Sequence, residues 1–246
     1  MSRIHYDLHL HSCLSPCGDN DMTPNNIVNM SLLNGMEMIA LTDHNTCGNC
    51  RAAVEAGRRN GLCVVPGMEL CTSEEIHVVC LFPTVEAAEA FSGYVESCSV
   101  KIPNRPEIFG RQLLLNAEDE EVGEIGHMLL NASGISVSNV VETVGRYGGA
   151  AFPAHIDRDS YSVLSVLGDF PSEAGFCAAE VSMAGDPVSL RDRQPMLKDM
   201  IVLRDSDAHY LEHMPEASAW IDLPECSPEC LVQALNGSIF IQWKGG

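Results

Sequence analysis

Six strand-like segments of this chain each end in a side chain that binds divalent metals well. The first does so twice, in Asp7-Leu8-His9-Leu10-His11. Because side chains two residues apart share a face of an extended strand, His9 and His11 can point at one ion, with Asp7 as a supporting carboxylate. The other metal-binding residues are His44 after Asp43, Glu69, His77, His155, and Asp207 with His209. This recurrence predicts one assembled metal site.

Two of these residues indicate how such a site would be built. Glu69, in Gly67-Met68-Glu69, can bridge two metals through its two carboxylate oxygens. His77 lies in the apolar run Ile76-His77-Val78-Val79, where a polar side chain needs a partner. A core histidine with an ordinary hydrogen bond is the alternative, but the five other segments favour a metal ligand.

The elements that must position these residues alternate between strand and helix signals, which predicts an α/β fold with a parallel barrel or sheet. Helix starts are marked by Thr23-Pro24, Thr84 and Ser227-Pro228, and Gly61 marks a helix end. In a barrel of parallel strands the carboxyl ends converge on one rim, so the candidate ligands would meet there. The predicted strands cover 4–10, 36–42, 62–66, 76–82, 150–153, 178–182, 200–203, 219–223 and 239–243.

Residues 99–135 break this rhythm with two prolines, several glycines and the acidic run Glu118-Asp119-Glu120-Glu121. We interpret them as an insertion over the core, within a single domain spanning residues 1–246. A lid or substrate loop and a solvated connection are equally compatible with its length.

The composition limits the classes of function. The 246 residues are 46% hydrophobic, without an apolar run long enough for a membrane span or a signal peptide, so we expect a cytoplasmic protein without membrane contact. The net charge of −20 would repel a phosphate backbone, so nucleic acid is an unlikely partner and a small phosphorylated substrate is expected. The eleven cysteines are expected to be reduced, and Cys47 and Cys50 to be structural.

These motifs together resemble those of the PHP family, the polymerase and histidinol phosphatase superfamily of metal-dependent phosphoesterases. The resemblance spans nearly the whole chain and has the family's motif order. It implies a distorted (β/α)₇ TIM-like barrel with two or three divalent ions, Zn, Mn or Fe, at its carboxyl rim. The motifs are Asp-Leu-His-x-His at 7–11, Thr-Asp-His at 42–44, Gly-x-Glu at 67–69, His155, and Ser-Asp-x-His at 206–209.

The resemblance also implies a distribution of ligands. A first metal would take His9, His11, Glu69 and Asp207, and Glu69 would bridge to a second metal on His77 and His155. A third would take His44, His209 and a residue of the loop 12–21. Asp19 is the predicted ligand there, followed by Asp21 and then Cys17.

The implied activity is hydrolysis of a phosphate ester by a metal-activated water at a di- or trinuclear site. We expect a histidinol-phosphatase-like phosphomonoesterase or a small-molecule phosphodiesterase. The alternatives are an exonuclease-type phosphodiesterase and a non-catalytic metal-binding regulatory module. Glu69 is the expected metal bridge, Arg158 a candidate phosphate clamp or else a surface ion pair, and His209 a ligand that could also protonate the leaving group.

Overall fold

The computed structural model describes residues 1–239 and 241–244 of this chain. The strands are β1 Ser2–Leu10, β2 Met38–Leu41, β3 Cys63–Cys71, β4 His77–Leu81, β5 Leu113–Leu115, β6 Glu121–Glu124, β7 Ala150–Pro153, β8 Ala178–Glu180, β9 Ile201–Leu203, β10 Trp220–Leu223 and β11 Trp243–Lys244. The helices are α1 Pro24–Leu33, α2 Cys50–Asn60, α3 Val85–Cys98, α4 Pro106–Phe109, α5 Val137–Gly145, α6 Val163–Leu167, α7 Pro187–Arg193 and α8 Pro228–Leu235. Short 3₁₀ turns cover Ser172–Ala174, Pro195–Lys198 and Leu211–His213.

A seven-stranded sheet curls around the core in the order β11-β10-β1-β2-β3-β4-β7, and β8 pairs in parallel with β9. Two backbone hydrogen bonds link these parts into a ring. The Ile156 N–H donates to the Glu180 carbonyl at 2.9 Å, and the His11 N–H donates to the Ala208 carbonyl at 3.1 Å. The segments that follow β7 and β9 therefore lie beside β8 and β1, respectively.

Strand alternation separates two hydrophobic clusters, one enclosed by the strands and one between the strands and the helices. In β2, Met38 and Ala40 belong to the inner cluster, whereas Ile39 and Leu41 belong to the outer one. Because successive strand side chains point to opposite faces, a run that is apolar at every position fits a sheet covered on both sides.

The sheet is mixed, which departs from the expected set of parallel strands. Strands β1, β2 and β3 are parallel, but β4 runs antiparallel to both β3 and β7. His77 therefore opens β4 instead of following a strand, and it pairs directly with Cys71 at the end of β3. The antiparallel direction still brings His77 to the rim where β3 ends.

The helix boundaries follow the predicted caps. The hydroxyls of Thr23, Thr84 and Ser227 accept hydrogen bonds from backbone N–H groups in the first turns of α1, α3 and α8. Gly61 ends α2 with φ of 79°, a left-handed conformation that glycine adopts without a Cβ clash.

The insertion 99–135 contains α4 and the hairpin of β5 and β6. It is attached to the barrel through two buried asparagines. The Asn49 Nδ2 donates to the Leu113 carbonyl at 3.1 Å, and the Asn45 Nδ2 donates to the Leu129 carbonyl at 2.7 Å. Because Asn45 follows His44, the insertion lies against the rim that carries the candidate ligands.

The chain end differs from the prediction in one detail. A strand was expected over 239–243, but Phe240 lies outside the described residues, as do Gly245 and Gly246 of the predicted domain. The described strand there is β11, which pairs antiparallel with β10. Among the described residues, no helix is both long and apolar enough to cross a membrane.

Candidate metal centre

The candidate ligands from all six segments lie together at one rim of the barrel. His9 and His11 belong to β1 and its end, and their Nε2 atoms are 3.2 Å apart, as two-residue spacing on one strand face predicts. The other elements contribute one or two residues each. They are His44 after β2, Glu69 in β3, His77 at the start of β4, His155 after β7, and Asp207 with His209 after β9.

Glu69 is the centre of this cluster. Its side chain is 1% exposed, and five imidazoles surround its two oxygens. The nearest are the Nδ1 of His77, 2.8 Å from Oε1, and the Nδ1 of His44, 3.0 Å from Oε2. The others are the Nε2 atoms of His155, at 3.2 Å, of His11, at 3.3 Å, and of His9, at 3.4 Å.

A glycine two residues before Glu69 allows the strands to approach closely. A Cβ added at Gly67 would lie 2.6 Å from the Cys80 carbonyl oxygen on β4, too close for any other residue. The buried thiols of Cys47 and Cys50 both donate to the Gly67 carbonyl, at 3.2 Å. These contacts give the two cysteines a structural role beside β3, and all eleven cysteines are free thiols.

Asp207 provides the second buried carboxylate. Its Oδ1 lies 3.1 Å from the Nε2 of His11 and 3.4 Å from the Nε2 of His9. Its backbone φ is 52°, in the left-handed region that aspartate tolerates better than most residues. On the outer side, Nη1 of Arg158 lies 2.5 Å from Oδ2, so Arg158 pairs with Asp207 and not with Asp157 or Asp159.

The ligand atoms form three overlapping groups in which all atoms lie within 4.8 Å of one another. The first contains the four residues expected for a first metal. In the second, His44 takes the place of the expected His155, which lies in none of the three groups. In the third, His11 joins the expected His44 and His209 in place of a residue of the loop 12–21. The groups are His9 with His11, Glu69 and Asp207; His44 with Glu69 and His77; and His11 with His44 and His209.

Several buried atoms of this cluster make no hydrogen bond of acceptable geometry in the described part of the chain, although Nδ1 of His44 and Oε2 of Glu69 lie 3.0 Å apart. They include Oε2 of Glu69, Oδ1 of Asp207, and the Nδ1 atoms of His44 and His155. An unsatisfied buried polar group costs about 1–3 kcal/mol, and more when charged, so native proteins rarely retain several together. Divalent ions would satisfy these oxygens and nitrogens, and the residues therefore fit a metal centre.

The electrostatics of the cluster keep the carboxylates ionised. Burial opposes the charge on Glu69, but the nearby imidazoles of His77 and His9 hold its pKa well below the usual value. Burial likewise opposes the charge on Asp207, and His9 and His11 lower its pKa. Both groups are therefore anionic at neutral pH, the state in which a carboxylate binds metal.

Two imidazoles are held neutral. Burial and the neighbouring His11 lower the pKa of His209 to about 3, and burial lowers the pKa of His44. His77 differs, because the charge of Glu69 outweighs its burial and raises its pKa to about 10. Neutral His209 and His44 offer lone pairs at neutral pH, as metal ligation requires.

Glu180 is a buried carboxylate of this site that the sequence reasoning missed. Its Oε2 lies 2.7 Å from Nδ1 of His9, and its Oε1 accepts from the backbone N–H of His155 at 3.0 Å. The backbone of His155 is strained, with φ of 28°. Glu180 therefore holds both a candidate ligand ring and a strained loop. A glutamate ending the apolar run Ala178-Ala179 was the available signal.

Asp43 is a second buried carboxylate that holds a candidate ligand in place, in this case His11. It accepts from the Ser12 N–H and from the hydroxyls of Ser12 and Ser15, each at 2.7 Å. The Ser15 hydroxyl also lies 2.9 Å from Nδ1 of His11. The carboxylate of the Thr42-Asp43-His44 motif thus orients the His11 ring through a serine.

Asp19, the ligand predicted in the loop 12–21, is placed beside the centre, outside the three groups. Its backbone N–H donates to the His209 carbonyl at 2.9 Å, and its Oδ1 accepts from the Asp21 N–H at 2.8 Å. Its role as a ligand stays a prediction.

Comparison with known proteins gives a family match over most of this region. A model of the PHP domain matches residues 7–162, which is more than half of the chain. That segment includes the candidate ligands from His9 to His155 and ends before Glu180, Asp207 and His209.

Two sequence relatives are exoribonucleases. A 5′-3′ exoribonuclease from Haemophilus influenzae is 34% identical over 77 residues, which cover 30% of this chain and 27% of that protein. The 5′-3′ exoribonuclease Rnm from Salmonella typhimurium is 37% identical over 79 residues, or 30% of this chain and 26% of that protein. The matched segment spans about a quarter of each relative.

Solved structures share the fold. A lesion-specific endonuclease from Pyrococcus furiosus has a TM-score of 0.68 and 16% identity, covering 98% of this chain and 58% of that one. A complex of endonuclease Q with a 27-mer duplex substrate matches equally well. A protein from Bifidobacterium adolescentis assigned as a metal-dependent phosphoesterase has a TM-score of 0.60 and 18% identity, covering 83% of this chain and 87% of that one. The expected distorted TIM-like barrel is confirmed.

These matches correct one expectation. The net charge predicted that nucleic acid is an unlikely partner, but the matched proteins include two exoribonucleases and an endonuclease bound to a duplex. The prediction was wrong because net charge describes the whole surface and does not report the charge around one site, so it could not exclude a nucleic-acid partner.

Proposed function

Because this chain belongs to the PHP domain family, we propose that it is a metal-dependent phosphodiesterase of the exonuclease type, which removes nucleotides from the end of a nucleic-acid strand. The observation that carries this proposal is the buried Glu69, surrounded by five imidazoles within 3.4 Å. Such a site suits phosphoryl chemistry, and the names of the sequence relatives favour a nucleic-acid substrate over a small phosphate monoester.

The depth of the site supports action at a strand end. The side chains of His9, His11 and Glu69 are at most 1% exposed, and that of His209, the most open member of the three ligand groups, is 19% exposed. A flexible strand end can approach such a buried centre, whereas the interior of a duplex would first have to be distorted.

Two or three divalent ions would be held by the three ligand groups around Glu69 and Asp207. When bound, they would supply Lewis-acid activation of water and neutralise charge on the phosphoryl group. Arg158, with a side chain 43% exposed at the rim, is placed to pair with a phosphate oxygen. The lowered pKa of His209 keeps its ring in the neutral form, which has a free lone pair for a metal, and this favours ligation over general-acid catalysis by an imidazolium.

The proposal is tested with metal-reconstituted protein and a single-stranded RNA of about ten nucleotides, the scale of one single-strand binding site, labelled at the 5′ end in one sample and at the 3′ end in another. We expect stepwise release of mononucleotides that stops when EDTA removes the metal. Hydrolysis of p-nitrophenyl phosphate without any shortening of RNA would instead favour a small-molecule phosphatase. Inactivity towards monoesters, diesters and RNA with Mn, Fe and Zn would contradict an enzymatic role.

The charge distribution predicts weak salt dependence of RNA binding. Seven of the 14 Lys and Arg side chains are already paired with carboxylates, and one of these seven is Arg158, which lies beside the ligand cluster and pairs with Asp207. At about −0.7 per phosphate contact on a single strand, one or two contacts give a slope of log Kobs against log salt no steeper than about −1.5. Fluorescence anisotropy at several NaCl concentrations measures it, and a slope steeper than about −3 would indicate a broad basic surface.

A further inference from the structure

We propose that a groove between the loop 16–20 and the insertion is a subsite for one unpaired nucleobase of the substrate. We call it the insertion groove. This inference rests on the proposed function, because it names how the substrate next to the scissile phosphate is recognised. The groove has a volume of about 550 Å³, and it is lined by Cys17, Asp19, Ile108, Phe109, Leu130 and Tyr210 among others.

The insertion groove adjoins the metal centre. Tyr210, in its wall, directly follows the candidate ligand His209, and the Asp19 N–H on the opposite loop donates to the His209 carbonyl at 2.9 Å. A substrate phosphate at the centre would therefore place its neighbouring nucleoside within reach of this groove.

The insertion forms the other wall. A Cβ added at Gly110, which ends α4, would lie 3.6 Å from the Pro16 carbonyl, so α4 and the loop approach closely. The Leu113 N–H also donates to the Cys13 carbonyl at 3.3 Å. These contacts hold Phe109 and Ile108 of α4 opposite the loop and Tyr210.

The chemistry of the groove suits a flat ring better than a phosphate. Ile108 is 55% exposed and Tyr210 is 43% exposed, although large side chains of these types are usually buried in a protein core. The Tyr210 ring is supported by His213, with centroids 5.1 Å apart. Arg111, the cation in the lining, is paired with Glu121 and Glu124, and Asp19 adds a negative charge.

Stacking also accounts for how a chain with a net charge of −20 would hold nucleic acid. Base–aromatic stacking contributes about 1–3 kcal/mol per base and does not depend on neutralising the backbone. A groove of about 550 Å³ is within the usual range for small-molecule sites and accommodates a nucleobase. The insertion then serves as a substrate loop rather than as a solvated connection.

The test compares two ligands that differ only in the base, adenosine 5′-monophosphate and ribose 5-phosphate, by isothermal titration calorimetry on metal-loaded protein. The wild type should bind the nucleotide roughly tenfold more tightly, which corresponds to one stacked base. Tyr210→Ala and Phe109→Ala should each bring this ratio towards one, and Tyr210→Phe should keep it. The matched control Tyr94→Ala removes an exposed tyrosine of α3 and should leave the ratio unchanged.

The outcomes separate this inference from the proposed function, because binding is measured without RNA cleavage. Equal affinity of the wild type for the two ligands, or a ratio that survives both alanine substitutions, would overturn the nucleobase subsite even if RNA is shortened. A ratio that depends on Tyr210 and Phe109, without any shortening of RNA, would support the subsite and contradict exonuclease activity. Thermal melting of each variant confirms that it is folded.

Discussion

Glu69→Gln is expected to reduce metal-dependent hydrolysis by at least roughly 10³-fold, the largest loss predicted for any single substitution in this chain. Among the described residues, Glu69 is the one carboxylate that contacts all five of these histidines: His9, His11, His44, His77 and His155. It therefore links all three ligand groups directly or through a shared imidazole. An amide keeps the size of the side chain but removes the negative charge that attracts cations. Metal content should therefore fall together with activity.

The measurement is kcat at saturating metal, combined with metal analysis of the dialysed protein. Glu225→Gln is the matched control, because Glu225 is an exposed glutamate outside the candidate ligand groups. Glu69→Gln protein that is folded by circular dichroism, keeps its metals and hydrolyses at the wild-type rate would refute the central position of Glu69.

The residues of the site were largely predictable because their signals are local. His9 with His11, and Asp207 with His209, are two apart in extended segments, and this spacing alone places each pair on one face. Glu69 follows a glycine that the close approach of β4 requires. The resemblance to the PHP family that these motifs carry implied a barrel, which the fold confirms.

Strand direction was not predictable in the same way. The run Ile76-His77-Val78-Val79 has no feature that distinguishes a parallel from an antiparallel strand, because pairing depends on the connection and the neighbours. The short link between Cys71 and His77 was the available indication, since a parallel crossover needs about a dozen residues or more. His77 reaches the rim because β4 reverses direction.

The carboxylates that hold the ligand histidines in place, Glu180 and Asp43, could not be predicted from the sequence either. Glu180 is separated from His9 by 171 positions, and no local spacing connects them. Asp43 was part of a recognised motif, yet its bonds to Ser12 and Ser15 depend on how that loop folds beneath His11. Long-range hydrogen bonds of this kind become visible only once the strands are paired.

Glu180→Ala is expected to weaken metal binding by about 10- to 100-fold, the usual effect of removing a carboxylate that orients a ligating histidine. The substitution removes the contact to Nδ1 of His9 at 2.7 Å and the acceptor for the His155 N–H at 3.0 Å. His9 is then free to rotate, and the strained loop at His155 loses its restraint. The metal affinity of Glu180→Gln should lie between those of the wild type and Glu180→Ala, since an amide oxygen can replace only one of the two carboxylate acceptors.

Titration with a competing chelator measures metal affinity, and kcat at saturating metal distinguishes loss of binding from loss of chemistry. Glu173→Ala, an exposed glutamate in the turn before β8, is the matched control. A purely structural role would lower the melting temperature of metal-free protein without changing the affinity of the folded fraction. An affinity within about twofold of wild type would be far below the effect expected for a positioning carboxylate, and Glu180 would then only fill the core beneath the ligands.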